Sequence, residues 1–340
     1  MSKIIFKNKS KTAKDKKTEK EKLEERREEV LSQGRKFKYP LQYAKHTIVL
    51  WTVLIAVFAA VVMSGAGYLA LYKFHNTSDL LYRLTQIIPM PVATVDGTKV
   101  LYSDYLMVYK SSIKPLEQQK QLGDDEDAQK MKEHYKREAL TEVENYTYAL
   151  KIGKELGVKV SDKEVDQAIA KHRKAGGLDR SKESFEKVLN DNFGLTKKEY
   201  KRLIYLGLMK AKVAQSIDKT ADKTVQEVEK KLANEKDLEK IAKSMEKKVS
   251  YEQTGGMVDK MNIDGGRAME AMKLKEGEVS KKLLSSSGDS YYFVKLQRKD
   301  KNGVDYVSLK ITLNELNNRI KEIRESGKIK EKIILTENKS

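Results

Sequence analysis

From Thr47 to Tyr72 the chain reads TIVLWTVLIAVFAAVVMSGAGYLALY, 26 residues without a single charge. As a helix this run reaches about 39 Å, more than the ~30 Å hydrocarbon core of a bilayer. Charged residues make up 35% of the sequence and hydrophobic ones 39%. No comparable apolar run follows to bury such a helix inside a globule, so the run is expected to span a membrane once. Trp51 at one end and Tyr68 and Tyr72 at the other suit the two interfaces. Arg27, Arg35, Lys36, Lys38 and Lys45 precede the run closely, whereas only Lys73 and Arg83 follow it closely. The positive-inside rule therefore places residues 1–46 in the cytoplasm and residues 73–340 outside. The small residues of MSGAG leave a cleaved signal peptide as the rival, but the long leader and the length of the run favour an uncleaved anchor.

The net charge of +18 is unevenly spread. Residues 1–46 hold 15 Lys/Arg against 7 Asp/Glu, a net of +8. The segment KNKSKTAKDKKTEKEKLEERREEV is poor in apolar residues and reads as disordered or as a loose charged helix. Its basic residues suit topogenesis, with anionic lipid head groups or ribosomal RNA as further partners. Residues 73–340 carry 53 basic and 43 acidic residues, interleaved. Interleaving marks a solvated helical surface and argues against a nucleic-acid groove, and no zinc-finger or base-stacking motif is present.

Cysteine is absent, which removes disulfides, thiolate metal sites and thiol nucleophiles. His46, His75, His134 and His172 are not paired at ligand spacing, so no metal is expected. GGMVDKMNIDGG lacks the lysine–serine of a P-loop and the GxGxxG spacing, and no cofactor is expected. DDEDAQK lacks the spaced ligands of an EF-hand.

Beyond the span, residues 73–91 read as a linker. Val92–Val95 and Thr98–Leu101 flank Asp96-Gly97, the signature of a two-residue hairpin turn with positive φ at both central residues. Ser103 or Asp104 is expected to cap the next helix. QKQLGDDEDAQ reads as a loop. In KREALTEVENYTYALKIGKELG, the positions Ala139, Val143, Tyr146, Leu150 and Gly153 share one helix face, and Gly157 is placed to end the helix. Ser161 with Glu164, and Thr196 with Glu199, form capping boxes, and Ser181 caps a helix between them. Gly176-Gly177 is expected to break the chain there. Tyr200, Leu203, Ile204, Gly207, Leu208 and Ala211 form the apolar face of the last helix of this set.

The ordered segments ALTEVENYTYALKIGKELGV, VSDKEVDQAIA and FEKVLNDNFGLTKKEYKRLI resemble the N-terminal domain of the SurA family of periplasmic chaperones, over about residues 92–217. In that family, and in the related PrsA and trigger-factor-like foldases, a parvulin domain follows, a peptidyl-prolyl isomerase. Residues 237–299 resemble a degenerate parvulin: DLEKIAKSM its first helix, Gly255-Gly256-Met257 its glycine turn, AMEAMKLKEGEVS its next helix, and SGDSYYFVKLQRK its last strand. The resemblance implies two active-site histidines. Tyr292 stands at the one on the last strand. The other belongs to a first strand expected before Asp237, where TVQEVEKKLANEK reads as helix. No histidine follows His172. DYVSLKITLNELNNRIKEI reads as a strand and a helix, the strand expected at the same sheet edge from the C-terminal side. Isomerisation about X-Pro has a barrier of ~18–20 kcal/mol and needs no covalent intermediate, so a pocket that holds proline and stabilises the twisted amide leaves residual activity open without histidine, but efficient isomerisation is not expected.

The expected fold is therefore mainly α with a small α+β module. Residues 1–46 form a basic cytoplasmic tail and 47–72 a transmembrane helix. Residues 92–217 form a SurA-like helical domain, 218–325 a degenerate parvulin-like domain with a C-terminal strand and helix, and 326–340 a tail. The expected function is an anchored extracytoplasmic chaperone that binds unfolded exported polypeptides without ATP, through Tyr146, Leu150, Tyr200 and Leu203. Met257, Met261, Met269 and Met272 are further candidates because methionine adapts to varied shapes. An active isomerase and a structural envelope protein with a fixed partner are the alternatives.

Overall fold

The computed structural model describes residues 19–335 except 39, 124, 175–179, 261 and 263 and, of residues 34–45, the backbone alone. The expectations for residues 1–18, for Gly176-Gly177 and for Met261 fall outside the described residues. The chain divides into two compact units, Met1–Leu69 and Ala70–Ser340.

The first unit is helical: α1 (Glu19–Lys38), then α2 (Pro40–Tyr72), whose last turn belongs to the second unit. The stretch His46–Tyr72 of α2 is long and apolar enough to cross a membrane, and none of its most apolar window is buried. The last turn of α2 packs in the second unit. Leu71 is fully buried in the core of the second unit, and its carbonyl accepts the Tyr102 hydroxyl at 2.8 Å. Residues 47–69 still reach about 35 Å as a helix.

The second unit is mostly helical, with a sheet module toward its C-terminal end. It opens with α3 (Asp79–Ile87) inside the expected linker. Leu81, Tyr82 and Thr85 are buried there, so this segment is a packed element, not a spacer. β1 (Pro91–Val95) and β2 (Thr98–Leu101) follow as an antiparallel hairpin. Asp96 and Gly97 both take positive φ, 44° and 81°, as the Asp-Gly pair requires. Gly97 has nothing within 4 Å of where a Cβ would stand, so Gly97→Ala tests the backbone alone. It is expected to lower stability by about 1 kcal/mol in a denaturant titration.

Helices α4 (Tyr102–Gln118), α5 (Glu126–Glu155), α6 (Asp162–Lys174), α7 (Lys182–Phe193) and α8 (Lys197–Ile217) come next. α4 starts at Tyr102 with no side-chain cap, so the expected Ser103 or Asp104 cap does not form. Asp104 instead takes two hydrogen bonds from Arg202 on α8, at 3.2 and 2.8 Å. The Thr196–Glu199 box is complete. Glu199 also accepts from Arg83 and Gln86, at 3.2 and 2.6 Å, which ties α3 to the start of α8. Burial alone would push this carboxyl up. Hydrogen bonds from the Thr196 backbone, Tyr82, Gln86 and the Thr196 hydroxyl hold it below the ordinary carboxylate range.

After α9 (Lys219–Leu232) and α10 (Leu238–Ser244) the sheet module begins: β3 (Ser250–Gln253), β4 (Val258–Asp259), α11 (Arg267–Ala271), β5 (Leu283–Leu284), β6 (Ser290–Lys299) and β7 (Gly303–Thr312). The strand order is β3-β7-β6-β5, with β4 also on β7. The segment TVQEVEKKLANEK is helical as far as Leu232, as its pattern predicts, and leaves the helix over its last four residues. β7 lies inside the sheet, between β3 and β6, where the sequence placed it at an edge. Alternation splits the sheet into two faces. Tyr291, Phe293, Leu309 and Ile311 join the main core of the unit. Tyr292, Val294, Leu296, Val304 and Tyr306 form a second cluster with Ala268 and Ala271 of α11. Gly288, in the turn before β6, approaches α8 so closely that a Cβ would stand 2.2 Å from that of Ala211.

The C-terminal segment departs most from expectation. α12 (Glu315–Glu325) packs on α5 and α8, and β8 (Ile329–Glu331) pairs antiparallel with β1, Val95 opposite Ile329. Residues 326–335 are therefore no tail, and Ile333 and Leu335 are buried. The physical reason lies at β1: a lone two-stranded hairpin is marginal in water, and its unpaired edge is completed by the third strand.

Candidate functional site

Tyr200 is placed where three helices meet. Its ring stands edge-on to Phe185 of α7 at 5.7 Å, and its hydroxyl lies 2.7 Å from His172 Nδ1 on α6. Burial pushes the Tyr200 phenol up to about 12, so at neutral pH it is a neutral hydrogen-bonding group. Leu203, one turn on, is half-buried, as are Ile204, Tyr205, Gly207 and Leu208. Leu206, Met209 and Val213 carry the buried side of α8, and Leu203, Ile204 and Leu208 form a half-exposed apolar strip along its margin.

Tyr146 and Leu150 lie on α5, half-buried against the main core. The buried stripe of α5 runs through Ala139, Leu140, Val143, Thr147 and Ile152, so these two sit on its margin and not at its centre. The Lys210 ammonium lies 5.5 Å from the Tyr146 ring centroid and is held by Glu142 at 2.9 and 3.0 Å. Tyr146 thus stands at Lys210, ten residues and about 15 Å along α8 from Tyr200. The expected four residues form two stations on one helix pair, not one pocket.

Tyr292 lies elsewhere, on the inner face of the sheet module. It is buried, and the Arg267 guanidinium stacks over its ring at 4.6 Å. Arg267 is fixed in turn by an ion pair with Glu252, by the Asp264 carbonyl at 2.8 Å and by Ser308 at 3.3 Å. The Tyr306 hydroxyl donates to Asp264 at 2.6 Å. Burial and that carboxylate push the Tyr306 phenol above its usual range. The place where the parvulin resemblance puts a histidine is thus filled by a Tyr–Arg–Tyr stack. Met257 and Met269 are exposed, while Met272 packs on the second cluster. An open depression of about 350 Å³ lies where α10 meets the sheet, with Asp237, Tyr251, Lys295 and Gln297 in its lining. No sequence motif marks it, since it arises where α10 meets strands far apart in the chain. Among the described residues, no cluster of His, Asp or Glu is grouped to hold a metal ion.

Residues 40–214 match the SurA-like N-terminal domain, about half of the chain. The chain belongs to this family. The match runs from α2 to the C-terminal part of α8. It includes Tyr146, Leu150, Tyr200 and Leu203, and stops before α9 and the sheet module. No curated protein and no solved structure matches the chain. Membership places the protein among chaperones and foldases, and puts the α5–α8 surface inside the part that the family defines.

Proposed function

We propose that this SurA-like protein is a single-span, membrane-anchored extracytoplasmic chaperone that captures unfolded exported polypeptides without ATP. The observation that carries the reading is the half-covered apolar strip of α8, from Tyr200 to Leu208, inside the SurA-like domain. Half-buried side chains give weak, reversible contacts, which suits passive capture and release. Anchoring by residues 47–69 would raise the effective concentration of clients leaving the membrane. The basic residues before the span support a cytoplasmic N-terminus and contact with anionic lipid. The division into a helical domain at 92–217 and a degenerate parvulin-like module from 218 belongs to the same reading. It is amended by the return of α12 and β8 to the helical side.

The full chain in detergent micelles is expected to suppress aggregation of a reduced, unfolded protein equally with and without ATP. Leu203→Gln is expected to weaken capture about three- to tenfold, with helicity by circular dichroism unchanged. Equal capture by the variant would remove α8 from the client surface.

The isomerase alternative asks Tyr292 to meet a prolyl peptide. Its burial beneath Arg267 and the lack of any histidine after His172 count against that. A proline-isomerisation assay is expected to show no acceleration by the full chain, and none by Tyr292→Ala. A single stoichiometric partner on crosslinking in cells, in place of many clients, would favour the structural alternative.

A further inference from the structure

α3 has two apolar faces. Leu81, Tyr82 and Thr85 point into the core of the second unit. Leu80, Leu84, Ile87 and the cap residue Ile88 fall at i, i+4, i+7 and i+8, a single stripe of a 3.6-residue helix. Leu84 is partly covered, but Leu80 is 76% exposed, Ile87 80% and Ile88 50%. Phe74, just upstream, is 69% exposed. Contiguous exposed apolar surface of this kind marks an interaction site.

The way the segment is tied selects its occupant. Leu71 and Tyr72, the last residues of α2, are fastened to the fold: the Tyr102 hydroxyl donates to the Leu71 carbonyl and the Tyr72 hydroxyl to the Pro91 carbonyl, each at 2.8 Å. Residues 73–90 are therefore a closed loop with both ends at the last turn of α2. Ile88 is three residues from Pro91, so the two Cα atoms are at most about 11 Å apart. With residues 47–69 in lipid, a helix held this close to the exit point lies within reach of the head-group layer. The exposed Lys73 at the loop's start, and Arg83 on α3, half-exposed while bonded to Glu199, supply cations beside the apolar stripe. An apolar stripe with flanking cations is the composition of a helix lying in a membrane interface.

We propose that α3 rests in the lipid interface where α2 leaves the membrane, with Leu80, Ile87 and Ile88 at the acyl boundary and Lys73 at anionic head groups. This rests on the reading of α2 as a membrane anchor.

The chain has no native cysteine, so single labels test it cleanly. Full-length Leu80→Cys, Ile87→Cys, Val57→Cys and Lys187→Cys are each labelled with an environment-sensitive fluorophore. They are then placed in phosphatidylcholine–phosphatidylglycerol vesicles containing spin-labelled lipid. Labels at 80 and 87 are expected to emit blue-shifted light and to be quenched by shallow spin labels, and the label at 187 to do neither. Quenching at 57 without quenching at 80 and 87 overturns this inference and leaves the anchor intact. Lack of quenching at 57 as well overturns both. If the labels at 80 and 87 respond to an added unfolded polypeptide but not to spin-labelled lipid, the face is a client surface and the lipid assignment is wrong.

Discussion

Asp218→Ala is expected to destabilise the second unit by about 2–4 kcal/mol. Asp218 is buried, and its two carboxylate oxygens serve two helices. Oδ1 accepts the Ala221 amide at 2.8 Å and caps α9. Oδ2 accepts the Asn314 and Glu315 amides at 2.8 and 3.1 Å. It thereby caps α12, whose own Asn314 makes no side-chain cap bond. A lost cap costs about 1 kcal/mol, and buried amides left without acceptors add about 1–3 kcal/mol more. Both helix N-termini also lose the negative charge that suits them. Asp218→Asn keeps one oxygen acceptor and is expected to lose about half as much. The measurement is a denaturant titration of the full chain in micelles, followed by far-ultraviolet circular dichroism and tyrosine emission, since the single tryptophan, Trp51, lies in the apolar run. Hydrogen exchange should show α12 and β8 released first. A loss below about 0.5 kcal/mol would mean that the shared cap contributes nothing.

The position of Asp218 shows where sequence reasoning reached its limit. What was legible is local. Asp96-Gly97 turns because two adjacent residues accept positive φ, and Ser161, Ser181 and Thr196 cap helices because their partners lie three residues on. Gly157 follows the end of α5 at Glu155 for a similarly short-range reason. The ordered set of these signals was enough to place the SurA-like region. What was not legible joins distant residues. Asp218 meets residues 314 and 315, Val95 meets Ile329, and Glu144 meets Arg324. No periodicity within a window announces such pairs. α3 escapes sequence reading for a different reason: nine residues are too few for a periodic pattern to stand out, and which of its two apolar faces turns inward is decided by its packing on α4. At Tyr292 the identity of its neighbour Arg267 depends on how residues 264–267 turn back over the sheet.

The second large effect is expected at the pair that closes the C-terminal segment onto α5. The Glu144 side chain is completely buried and receives the Arg324 Nη2 hydrogen bond at 2.6 Å. Around it Arg137 bonds Glu331 at 2.7 Å and the Leu335 carbonyl at 2.7 Å, so two arginines and two glutamates join α5, α12 and β8. Burial raises the Glu144 carboxyl above its ordinary range, and Arg324 offsets this only in part. A carboxyl that holds its proton more tightly in the folded state adds stability as pH falls, and loses that contribution as pH rises through its folded-state value. Arg324→Ala removes the strongest influence lowering that value and leaves a buried carboxylate without its cation. At pH 7.5 the loss is expected to be about 3 kcal/mol. Acidification toward pH 5 should recover part of it, because a protonated Glu144 needs no counter-charge, whereas wild-type protein should respond less over the same range. Glu144→Gln placed on Arg324→Ala should also restore stability at pH 7.5, since the amide carries no charge to strand. If the double variant is as unstable as Arg324→Ala at every pH, the cost lies in lost arginine packing, and the buried carboxylate is not what holds α12 and β8 in place.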